Sequence, residues 1–183
     1  MTQIVRRGLL WLVQFAVTLG ASLIVVGGLW LATGCGSAPQ RTVSAMAVAA
    51  VTADKANATA YELIALQAVK DAKDAGTGFP GWCAIMQAPW DRSCRAECAI
   101  QALADLAIAG QAAIDAGDSL DAHWLEAACG VLAALDDAWA AGEDPPEVVK
   151  QARALVCGLA GGHEGDAPTC HDPGPPPPCQ EVP

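Results

Sequence analysis

Residues 8–33 form a run of 26 positions without a charge, directly after Arg6 and Arg7. As a helix rising 1.5 Å per residue, such a run reaches roughly 39 Å, enough to cross a ~30 Å hydrocarbon core with tilt. Trp11 and Trp30 stand near its ends, where amphipathic indoles favour the membrane interface. The arginine pair stays on the cytoplasmic side by the positive-inside rule, so the chain beyond residue 35 is predicted to be exported. The charge distribution agrees: all twenty acidic residues and eight of the ten basic ones follow Cys35. A composition 53% hydrophobic and 16% charged excludes an intrinsically disordered chain. The net charge of −10 argues against nucleic acid as a partner, because binding phosphates needs a basic footprint.

The uncharged run ends in Leu31-Ala32-Thr33-Gly34-Cys35, which resembles the lipobox of bacterial lipoproteins. The resemblance covers only residues 1–35 and implies a signal segment followed by lipidation at Cys35. Small side chains would admit the signal peptidase, and the thiol would carry diacylglyceride as a thioether. The run is longer than the apolar region of an ordinary signal peptide, so an uncleaved anchor with its N-terminus inside is the alternative.

Beyond a polar spacer at 36–41, helical periodicity dominates residues 42–162. Across residues 42–75, apolar side chains recur at Val43, Met46, Ala47, Ala50 and Val51, and again at Tyr61, Ile64, Ala65, Ala68 and Val69. This is the stripe of an amphipathic helix. A second helix is expected over 93–116, capped by Ser93, with Ile100, Leu103, Ala104, Ala107 and Ile114 buried. Gly117-Asp118-Ser119 reads as a stop followed by a cap. In the third, over 120–141, Leu125, Ala128, Leu132, Leu135 and Trp139 alternate three- and four-residue steps, as a bundle seam requires. Asp144-Pro145-Pro146-Glu147 signals a fourth start, with Asp144 as cap. Val148, Ala152, Leu155, Val156 and Leu159 carry its apolar face, and Gly161-Gly162 ends it.

Two segments read as non-helical. Residues 76–92 are expected to form a long loop presenting Phe79, Trp82 and Trp90, either capping the bundle or serving as a recognition surface. Residues 163–183, with a proline run at 175–178, are expected to project as a polyproline arm.

Alanine-rich faces bury little apolar area per residue, so the bundle needs another source of stability. Besides Cys35, seven cysteines follow: Cys83, Cys94, Cys98, Cys129, Cys157, Cys170 and Cys179. In an oxidising compartment these read as a disulfide framework tying residues 77–92 to adjacent helices and closing the tail through Cys170 and Cys179. Cys94 and Cys98 share a helix face, so each should bridge a neighbouring segment rather than the other. Four disulfides fit an unmodified Cys35; lipidation leaves an odd thiol.

Known catalytic and nucleotide-binding motifs are missing from the sequence. His123 with Glu126, and His163, Cys170, His171 and Cys179, are ligand types whose spacing matches no common zinc site. No cofactor, metal or catalytic residue is therefore assigned. The fold class expected is all-α: an N-terminal membrane anchor helix, a disulfide-stapled up-and-down helical bundle and a Pro-rich tail. The expected role is that of a non-enzymatic cell-envelope protein, bacterial or phage-encoded, held to the membrane and binding an envelope protein. A spanin-like lysis accessory and a small thiol-redox or metal-handling protein are the alternatives.

Overall fold

The computed structural model describes residues 37–140 and 144–179. The predicted anchor and Cys35 lie outside these residues. Ser37 caps the first helix by accepting a hydrogen bond from the Gln40 amide at 3.5 Å, and Pro39 occupies the first turn, where its missing N–H costs nothing. Helix α1 spans Ala38–Asp74 and α2 spans Gly78–Asp115. Gly76, at φ +68°, supplies the left-handed step between them. Helices α3 (Ala122–Ala140) and α4 (Glu147–Leu159) follow, and a short 3₁₀ turn closes Pro177–Cys179. All regular structure among the described residues is helical.

Three local expectations are corrected. Residues 78–92 belong to α2 and are no loop, and Ser93 lies inside that helix rather than capping it. Pro80 falls in the first turn, so only Pro89 interrupts the hydrogen-bond ladder, and packing against α1 carries the helix through it. The cap of α3 is Asp121, whose carboxylate accepts from the Trp124 amide at 2.7 Å. At α4 the residue preceding the helix is Pro146, with no side-chain cap. Pro145 is forced out of helical conformation by the proline after it, and Asp144 instead pairs with Lys150 at 3.6 Å.

The register follows from cross-helix hydrogen bonds. Gln40 donates to Gln111, Asn57 to the Ser93 carbonyl, and Trp82 to the Ala65 carbonyl. As the α1 number rises the α2 number falls in step, so the pair is antiparallel. Trp124 donates to the Leu106 carbonyl between α3 and α2, while Arg153 pairs with Asp136 between α4 and α3. Sequential helices touch and α4 closes against α1, the up-and-down arrangement short links favour.

The core lies where all four helices run together. Met46, Leu103, Leu132, Leu135, Val149 and Val156 are its large members, set among alanines. Gly110 marks a tight helix crossing. A β-carbon there would meet the Trp124 ring at 2.6 Å and Val43 at 2.9 Å. Gly110→Ala should therefore cost about 1–3 kcal/mol through overpacking, outweighing the gain of ~1 kcal/mol in helix propensity. Urea unfolding of the variant checks this; unchanged or increased stability would refute the crossing.

Candidate contact surface

Helices α1 and α2 are longer than their partners. Beyond about residue 57 of α1 and before residue 93 of α2, they continue together as a two-helix hairpin. The tail packs beside it. From the end of α4, the Gly165 amide donates to the Glu126 carbonyl of α3 at 2.8 Å. Farther along, Cys170 bonds Cys98, the Gly174 carbonyl accepts from Trp90 at 3.1 Å, and Cys179 bonds Cys83. The anchor points on α2 fall as those on the tail rise, so the tail runs antiparallel along α2, with Pro176 buried. It does not project as a free arm. The reason is covalent: two of its residues are bonded to the hairpin.

The third disulfide, Cys129–Cys157, staples α3 to α4. Cα separations of 5.7, 5.9 and 4.9 Å lie within the disulfide range. Cys170 and Cys179 each tie the tail to α2. This also removes both thiolates from any zinc site with His163 and His171. His123 is exposed on α3, and no three His, Cys, Asp or Glu side chains converge to hold a metal ion among the described residues.

The three aromatics expected to share one surface are separated. Trp90 is half-buried, packed on Tyr61 with ring centroids 5.8 Å apart and hydrogen-bonded to the tail, so it serves the structure. Phe79 and Trp82 stack near the hairpin tip at 5.7 Å, and Phe79 remains 49% exposed.

The hairpin also exposes residues that the sequence reading missed or misplaced. Leu63 and Leu66 are 62% and 69% exposed, and Ile64, Val69 and Ile85 are exposed with them. Ile64 and Val69 were expected in the buried stripe, as were Ala47 and Val51 nearer the base; all four face solvent. Below the hairpin, Val43, Met46 and Ala50 are buried as expected; along it Ala68 and Ala72 are buried, and Ile64 lines a pocket shared with Ala138 and Trp139 of α3. On α4 the exposed Leu155 and Leu159 give way to Val149 in the core. Exposed apolar side chains concentrated on one hairpin are the signal for a contact face.

Cys94 alone among the described cysteines is unpaired. Burial first, then the Glu97 and Asp91 carboxylates, raise its thiol pKa above the ordinary value. The α1–α2 register sets residue 57 beside Ser93, so Cys94 lies at the start of the hairpin. Cys35 lies outside the described residues.

Among the described residues, α2 is the one helix long and apolar enough, by length and composition, to cross a membrane. It occupies the middle of this fold, touching α1, α3 and the 3₁₀ turn, with Ala96, Ala99, Leu103 and Ala107 in the core. Comparison with protein-family models, curated proteins and solved structures finds no match to this chain.

Proposed function

We propose that this chain is an exported, membrane-anchored protein of the cell envelope, non-enzymatic, which binds another envelope protein through its hairpin. The observation that carries the reading is the disulfide set. Three pairs close sequence separations of 96, 72 and 28 residues, and such cross-links persist in oxidising compartments. The uncharged run at 8–33 and the odd thiol support attachment through a lipid on Cys35. The exposed apolar side chains Leu63, Leu66, Val69, Phe79 and Ile85 of the hairpin support protein binding, since they favour a complementary apolar partner surface.

Intact mass of membrane-extracted protein tests the attachment. The expected product begins at Cys35 and carries diacylglyceride, with one alkylatable thiol at Cys94. A full-length mass without lipid would replace the lipoprotein reading by the uncleaved anchor. Recovery of the protein from the soluble cytoplasmic fraction would overturn both.

A further inference from the structure

Cys94 stands midway between two points at which α2 holds the tail. Trp90 lies one helical turn before it and Cys98 one turn after, at the i, i+4 spacing that places side chains on one face. Trp90 holds Gly174 and Cys98 holds Cys170. The eight helical residues between these anchors rise about 12 Å, and the tail crosses the same interval between Cys170 and Gly174, turning where the Gly174 amide donates to the Asp172 carboxylate at 3.0 Å. His171, Asp172 and Pro173 thus pass over the Cys94 position. We infer that the Cys98–Cys170 disulfide is an isomerisable latch, with Cys94 as the internal nucleophile that transfers Cys170 one helical turn along α2.

The step is an exchange without net oxidation. The Cys94 proton goes to solvent, and the thiolate attacks Sγ of Cys170. The Cys94–Cys170 bond forms as the Cys98–Cys170 bond breaks, and Cys98 leaves as a thiolate that takes up a proton. Attack on Cys98 itself is disfavoured. Helical Cβ atoms at i, i+4 lie about 5–6 Å apart, beyond the ~3.5–4.5 Å a disulfide tolerates. Five residue steps lead from Gly165, held on α3, to Cys170, a maximal reach of about 17 Å, and the shift along α2 is about 6 Å.

The latch position has a structural consequence. Residues 164–170 form one wall of a 540 Å³ groove whose other walls include Arg95, Ala99, Gly130 and Asp137. Moving Cys170 to Cys94 shifts that wall towards the hairpin and opens the α3 side of the groove. The groups around the thiol set the rate. Asp91 and Glu97 on α2 and the Tyr61 hydroxyl on α1 face it, while the Asp172 carboxylate of the strap accepts from the Gly174 amide. The carboxylates and partial burial keep the thiol protonated near neutrality, so exchange is slow there. It accelerates about tenfold per pH unit until the thiolate predominates.

Trypsin makes the test direct, because cleavage after Arg92 and Arg95 isolates Cys94 on a tripeptide, away from Cys98. Full-length oxidised protein is held at pH 7 or pH 9, alkylated, then reduced and alkylated with a second reagent before digestion. At pH 9 the first label is expected to migrate from the tripeptide to Cys98 on peptide 96–150. Label remaining wholly on Cys94 at pH 9 overturns the proposal. Cys98→Ser offers a second reading: Cys94 and Cys170 should pair, leaving no free thiol among residues 83–179. Two alkylatable thiols in that variant would equally overturn it.

Discussion

Reduction of the disulfides should release residues 160–179 from the bundle, lower Tm by about 10–20 °C and leave helical circular dichroism at 25 °C almost unchanged. The magnitudes follow from the cross-link spans. Closing loops of 28, 72 and 96 residues removes unfolded-state entropy corresponding to about 3–5 kcal/mol each in the chain-entropy model. Even half that total, at ~2–4 °C per kcal/mol for a chain of this size, gives the stated shift. The tail is affected first because little else holds it. Its other ties include the Gly165–Glu126 and Trp90–Gly174 hydrogen bonds, the Arg153–Glu164 pair and buried Pro176. Each net hydrogen bond contributes about 1 kcal/mol, whereas ordering backbone costs about 1–2 kcal/mol per residue. Hydrogen exchange checks the order of events: amide protection at Gly165 should vanish on reduction while that of Leu103 and Leu132 persists. Fully reduced thiols with an unchanged Tm would show that packing alone carries the fold.

How much of this was legible in the sequence depends on the kind of information required. The seam of α3 was readable because Ala128, Leu132 and Leu135 alternate three- and four-residue steps, and all three are fully buried. The end of α1 was readable because Gly76 takes the left-handed conformation that stops a helix. The first turn of α2 misled, since Gly78, Pro80 and Gly81 have loop-like composition. Proline in a first helical turn removes no intrahelical bond, so composition and conformation part there. Ile64 and Val69 fail for another reason. Periodicity identifies an apolar face but does not say whether a neighbouring helix extends far enough to cover it. The tail's path was beyond reach altogether, because it is set by which cysteines pair, and spacing leaves many pairings open.

Leu132→Ala should cost about 3–5 kcal/mol, the upper part of the range for large-to-small core substitutions. Leu132 is fully buried at the centre of the seam, in a core where Ala49, Ala50, Ala53, Ala96, Ala99, Ala107 and Ala128 are buried among the larger side chains. A core built from branched side chains can partly refill a vacated site by changing rotamer. Alanine has no rotamer to change, and moving its backbone would require whole helices to shift, which the Cys129–Cys157 staple and the tight Gly110 crossing resist. The cavity therefore persists, and the lost contacts go unreplaced. Leu66→Ala is the matched control. It removes the same atoms from a side chain 69% exposed on the hairpin and should change stability by about 0.5 kcal/mol or less. Urea unfolding of the oxidised protein measures both. A Leu132→Ala loss below about 1.5 kcal/mol would mean that the helices do close on the vacated space, and that the alanine faces yield where this packing requires them to be rigid.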